Sequence, residues 1–216
     1  MKKIMFSDKH GLTAAVLAGT KTQTRRIINA MPKDPKIAYG LEDEAGYVHL
    51  LDGYIVVAKS KFNVGEVVAV AQSYFDIKTS ANSYRPPIWK GYKDWHKYLD
   101  TLPTDGAGYH NKMFVKSELM PNHIRIENIR VERLQDISDK DCLAEGIVKY
   151  SDGVYTYIEG GKKYYHRELD TPQKAYGVLI NKIYGLGTWM INPWVFVYNF
   201  KLVKKNEQRS NRISKT

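Results

Sequence analysis

Between Thr20 and Arg26 the chain reads Thr-Lys-Thr-Gln-Thr-Arg-Arg, three cations and three hydroxyls in seven residues, directly after Gly19. If this run is extended, its side chains alternate: Thr22, Thr24 and Arg26 share one face, and Lys21, Gln23 and Arg25 the other. A lysine that loses water beside two arginines is disfavoured as an ammonium, so its pKa falls and it can act as a base near neutral pH. A threonine hydroxyl would then be the nucleophile, and a carboxylate the proton shuttle or the lysine's partner. The same groups could grip a phosphate, or form a solvated basic turn.

Other chemistries are missing from the sequence. Gly19-Thr20-Lys21-Thr22 looks like the end of a phosphate-binding loop, but that motif needs Gly directly before Lys and a strand before the loop. The six histidines (His10, His49, His96, His110, His123, His166) have no metal-ligand spacing, so neither a metal nor another cofactor is expected. No G-x-S-x-G elbow occurs. Cys142 is the one cysteine; it can neither close an internal disulfide nor build a thiolate zinc site, which suits a reducing compartment.

The elements that must position the basic run follow from periodicity and punctuation. Ser7 to Ala18 reads as a helix with Leu12, Ala15 and Val16 on one side, stopped by Gly19. Gly53 to Ala58 and Val67 to Tyr74 read as strands, with Gly65 and Glu66 turning between them. Asn122 to Leu134 alternates as a half-buried strand with a bulge near Asn128. Ser138 and Asp141 approximate a capping box, giving a short helix Asp139 to Glu145 ended by Gly146. Thr171-Pro172 opens a second helix carrying Ala175, Leu179 and Ile183, and Pro193 to Val203 is a strand covered on both faces. Many short strands with three short helices predict an α+β fold built as a small, mostly antiparallel barrel.

With 216 residues, the length fits a single domain over 1–203, carrying two insertions. Residues 84–114 interleave Tyr and Trp with Arg and Lys, either as a base-stacking platform or as an excursion packed by its own aromatics. Residues 150–166 read as a β-hairpin. The net charge is +10, but the last sixteen residues hold six of the cations against one Glu, so the body is only mildly basic. Residues 204–216 are expected to be a disordered tail. No stretch is apolar enough for a membrane span, and Met1-Lys2-Lys3 lacks the apolar segment of a secretory signal. A cytoplasmic monomer is expected.

The string G-x-K-x-x-T-x-R, here Gly19, Lys21, Thr24 and Arg26, resembles the signature of the ASCH domain, a small β-barrel family related in fold to PUA domains. Lys116 to Pro121 (KSELMP), Arg130 to Ile147 (RVERLQDISDKDCLAEGI) and Asn192 to Phe200 (NPWVFVYNF) are similar to longer ASCH proteins of phages and prophages. The resemblance covers both ends and the middle and leaves the two insertions unmatched. It implies a basic cleft that takes RNA or a nucleotide. Shorter bacterial members are amidohydrolases that remove the acetyl group of 4-acetylcytidine with a Lys, a Thr and a Glu, which fall here on Lys21, Thr24 and Glu145. Lys21 would activate Thr24, Glu145 would handle protons or position Lys21, and Arg26 would stabilise the oxyanion or hold the sugar or phosphate. The remaining expected contacts to RNA or a modified nucleoside are Gly19, Thr22, Arg25, Lys116 and Ser117. Two other functions use the same residues: a non-catalytic RNA-binding module and a ribonuclease.

Overall fold

The computed structural model describes residues 1–28, 40–42, 47–51, 55–81, 99–150, 153–164 and 169–203. In chain order the elements are β1 (Lys3–Ile4), α1 (Leu12–Leu17), β2 (Gln23–Ile27), β3 (Gly40–Glu42), β4 (Tyr47–Leu51), β5 (Ile55–Lys59), β6 (Val67–Val70) and α2 (Tyr74–Ala81). They continue with β7 (His123–Arg133), α3 (Asp139–Ala144), β8 (Val148–Lys149), β9 (Tyr155–Glu159), β10 (Lys162–Tyr164), α4 (Pro172–Tyr184), α5 (Thr188–Ile191) and β11 (Trp194–Leu202). Residues 84–98 of insertion 84–114, the whole tail 204–216 and the start of the strand expected from Gly53 lie outside the described residues.

The expected barrel is not the fold. The main sheet has five strands in the order β1-β6-β7-β11-β2, and its end strands β1 and β2 are not neighbours, so it is open. It is also mixed: β1 runs parallel to β6, with Lys3 opposite Ala69, while β6 with β7 and β11 with β2 are antiparallel. Two three-stranded sheets, β3-β4-β5 and β10-β9-β8, are separate from it. The architecture is therefore mixed α/β. Alternation along a strand records which face is buried; it carries no information on whether the last strand pairs with the first.

Two elements also differ from expectation. The apolar run from Val67 stops being a strand at Val70, because Ser73 and Asp76 cap a helix there. The Asp76 N–H donates to Ser73 Oγ (3.0 Å) and the Ser73 N–H donates to Asp76 Oδ2 (3.1 Å), a reciprocal cap that makes Tyr74 the first residue of α2. The first helix begins at Leu12 rather than Ser7, since Gly11 takes φ +65° at its N-cap. A Cβ there would stand 2.8 Å from Ile158 Cγ2, so only glycine fits.

The chain forms two compact units. The described residues of Met1–Phe6, Val67–Arg125 and Lys201–Thr216 make the first. Its core holds Ala69, Ala71, Ile77, Leu102, Val115 and Met120, with Tyr74. Ser7–Glu66 and Ile126–Phe200 make the second. There Leu12, Val16, Leu134, Cys142, Ala175, Leu179, Val195 and Val197 are buried, and α3 and α4 pack together. α3 is capped by Ser138 Oγ, which accepts from the Asp141 N–H (3.2 Å), and α4 by Thr171 with Pro172 in its first turn. β9 and β10 form the expected hairpin, with Glu159 opposite Lys162.

Candidate functional site

The segment that carries Lys21 is pinned at both ends. Behind it, Gly19 takes φ +75°, and the N–H groups of Thr20 and Lys21 both donate to the Ala15 carbonyl at the end of α1 (3.0 Å each). Ahead of it, the Thr22 N–H donates to the Ala144 carbonyl (2.9 Å). Lys21 Nζ donates to the carbonyl of Glu145, the C-cap of α3 (2.7 Å). The helix's terminal carbonyls, which have no partner within the helix, are thus satisfied by this segment, and a cation stands at the negative end of the helix dipole.

Lys21 Nζ also lies 2.6 Å from Glu145 Oε2. Lys21 is 1% exposed and Glu145 is 4% exposed. Gly146 makes this approach possible: it takes φ +106°, and a Cβ on it would stand 3.2 Å from Leu12 Cδ2 and 3.9 Å from Lys21 Cδ. Burial pulls the Lys21 pKa below its ordinary range; the Glu145 carboxylate pulls it back up without restoring it, and Arg26 and Arg25 push it down further.

Arg25 sits beside this pair. Its guanidinium donates to Glu132 Oε1 (3.0 Å from Nε), to Asp141 Oδ2 (3.1 Å) and to Glu145 Oε1 (3.2 Å), and also to Gln23 Oε1. Gln23 Nε2 in turn donates to Asp141 Oδ1 (3.2 Å). Arg130 closes the network on Asp141 (2.6 Å), Glu132 (2.9 Å) and Asn199 (2.8 Å). Although burial works against the charge on Arg25, Glu145 and Glu132 outweigh it and hold the pKa above the ordinary value. Lys21, Arg25 and Arg130 against Glu132, Asp141 and Glu145 make the cluster charge-balanced.

Strand register decides where the other expected residues go. Gln23 and Arg25 point toward α3; Thr24 and Arg26 take the opposite face of β2, as the alternation predicts. Thr24 is directly across from Tyr198 and Arg26 from Phe196, so these side chains share that face. Thr24 is 5% exposed, and among the described residues nothing hydrogen-bonds its hydroxyl. Tyr198 Oη is 3.1 Å from Ser60 Oγ. The structure therefore brings Lys21, Arg25 and Glu145 together and does not hydrogen-bond Thr24 to either Lys21 or Glu145. Arg26 is charge-coupled to Lys21, Tyr184 and Tyr198.

Gly19 and Thr22 are exposed. Lys116 is exposed and Ser117 is buried, its hydroxyl donating to the Met1 carbonyl (2.7 Å). Both belong to the first unit, whereas the Lys21 cluster is built wholly from the second. The sequence reading missed Glu132, Asp141, Arg130 and Tyr176. The first three stand in the half-buried strand Asn122 to Leu134 and in the capped helix after Ser138, where local pattern alone does not distinguish a buried ion pair from a solvated charge. Cys142 is buried and burial pushes its thiol up to about 12, which removes it as a nucleophile. Among the described residues no group of three His, Cys, Asp or Glu could hold a metal ion, and no helix is long and apolar enough to cross a membrane.

Compared with family models, with curated proteins and with solved structures, the chain matches none.

Proposed function

We propose that the chain is an amidohydrolase of the ASCH kind, acting on the amide of an acylated cytidine. The observation that carries this reading is the buried Lys21–Glu145 pair. A lysine whose ammonium is destabilised by burial, held 2.6 Å from a carboxylate, is equipped to take and return a proton. These are the two residues to which the resemblance assigns proton handling.

In its neutral form Lys21 Nζ takes the proton of the Thr24 hydroxyl as Thr24 Oγ1 bonds the acyl carbonyl carbon. The carbonyl electron pair moves onto oxygen, where Arg26, on Thr24's face of the strand, offers positive charge. Collapse breaks the C–N bond, and the proton on Lys21 passes to the exocyclic nitrogen of the leaving cytidine. Water then attacks the acyl-threonine, giving one proton to Lys21, which returns it to Thr24 as the carboxylic acid leaves. Glu145 fixes the ammonium and balances its charge during each transfer. Thr24 enters on the resemblance, and its hydroxyl must gain a hydrogen bond to Lys21, a tightening that substrate binding commonly brings. A cytoplasmic location goes with a nucleoside substrate.

Phosphate gripping by Lys21 and Arg25 has less to support it. Both are buried and paired with carboxylates, so neither is placed to neutralise an RNA phosphate and release its condensed counterions, the term that drives such binding. The test is acetate release from 4-acetylcytidine by the wild type and by Thr24→Ala. Turnover by the wild type that is lost in the variant is the expected result; no turnover by wild type rejects the hydrolase, and turnover by Thr24→Ala moves the attack from threonine to water.

A further inference from the structure

Tyr176 lies on α4, which packs against α3. It is 1% exposed, and among the described residues its hydroxyl has no hydrogen-bond partner. Its ring is fixed edge-to-face against Trp189, with centroids 6.1 Å apart and planes at 82°. Eight residues on, Tyr184 Oη donates to the Arg25 carbonyl (3.3 Å), so this helix is docked on β2 beside the ion cluster. The groups that act electrostatically on the Tyr176 phenol are Glu145 and Cys142 from the end of α3, Arg25 from β2, and Tyr184 from its own helix.

A buried hydroxyl without a partner is costly, and a phenylalanine would fill the same space without that cost. Among the groups that act on it, the charged acceptor is Glu145, at the end of the helix against which α4 packs. That carboxylate is occupied here by Lys21 at 2.6 Å and by Arg25 at 3.2 Å, which is the arrangement of an ammonium beside a carboxylate. When Lys21 is neutral the carboxylate loses its principal charged partner, and a donor standing ready replaces it. We propose that Tyr176 is a positioning residue whose hydroxyl donates to the Glu145 carboxylate in the state where Lys21 has lost its proton. The catalytic consequence rests on the hydrolase reading; the proton linkage does not.

The linkage has a defined sign. A hydrogen bond made only beside neutral Lys21 favours that form, so removing it makes Lys21 hold its proton to higher pH. Arg25 and Arg26, the other charges acting on Lys21, are unchanged by the substitution. In Tyr176→Phe the Lys21 titration, followed by side-chain NMR, should move alkaline by about one pH unit, the size of a hydrogen bond to a charged group. The melting temperature should stay equal or rise. Fluorotyrosine at position 176, a stronger donor, should move Lys21 in the acid direction. On the hydrolase reading, the rising, acid-side limb of the pH–rate profile should move with Lys21, with kcat at neutral pH falling about tenfold and KM unchanged.

A Lys21 titration unmoved in both variants overturns the proposal. So does a lower melting temperature in Tyr176→Phe, because it would mean the hydroxyl is already satisfied. A wild type that hydrolyses nothing rejects the hydrolase reading alone, since the two titrations still decide for or against Tyr176.

Discussion

Lys21 Nζ stands 2.6 Å from Glu145 Oε2 and 2.7 Å from the Glu145 carbonyl oxygen, across 124 positions of sequence. One ammonium thus serves both the side chain and the helix end of the same residue. Removing either partner leaves the other buried and uncompensated. Glu145→Ala should therefore cost about 3–5 kcal/mol in urea unfolding. The double variant Lys21→Met, Glu145→Leu should recover most of that. A double variant no more stable than Glu145→Ala would show that the pair itself, rather than the stranded lysine, sets the cost.

The pH dependence of stability carries the sign of the Lys21 shift. Its folded pKa is below the ordinary 10.5, so between those two values the unfolded chain binds the extra proton. Stability contributed by this group is fully present above 10.5, and is lost as pH falls through the folded value. The wild type should thus gain on Lys21→Met as pH rises through this window. The check is the difference between their urea midpoints at two alkaline pH values; a wild-type advantage that shrinks with pH would contradict it.

The fold was partly legible before the structure. β7, β11, α3 and α4 follow from alternation, the Ser138 and Thr171 caps and the glycines at 146 and 185, because each is set by neighbours in sequence. α2 was hidden by the apolar run that precedes it, although Ser73-x-x-Asp76 was there to be read. Barrel closure was never encoded in the local pattern, and the sheet is open. For the site, alternation separated Thr24 from Arg25 correctly, while Glu145 was implied only by the family resemblance over Arg130 to Ile147. The three-cation, three-carboxylate balance was invisible, since Glu132, Asp141 and Arg130 look solvated until the fold brings the two carboxylates within reach of Arg25 on β2 and of Arg130.

Gly146 is required by backbone and space together. Gly146→Ala would place a Cβ at φ +106°, 3.2 Å from Leu12 Cδ2 and against the Lys21 stem. A loss of about 1–3 kcal/mol is expected, read as a lower melting temperature. An unchanged melting temperature would show that the α3 terminus adjusts freely and does not hold Lys21 in place.

Arg25→Lys keeps the charge and loses the fork. The guanidinium reaches Glu132, Asp141, Glu145 and Gln23 at once, and an ammonium cannot match that geometry. Unfolding free energy should fall by at least about 2 kcal/mol. An equally stable Arg25→Lys would mean that charge alone organises the cluster.

On the hydrolase reading, Lys21 takes a proton during amide cleavage. The most direct test of this step is the rate of acetate release from 4-acetylcytidine by the wild type and by Lys21→Arg, with folding of each verified by circular dichroism. Arginine keeps the positive charge and cannot give up its proton. Turnover by the wild type and a loss of about a hundredfold or more in kcat for the variant, the range of a general base, are expected; a folded Lys21→Arg protein that hydrolyses at the wild-type rate would overturn a base role for Lys21.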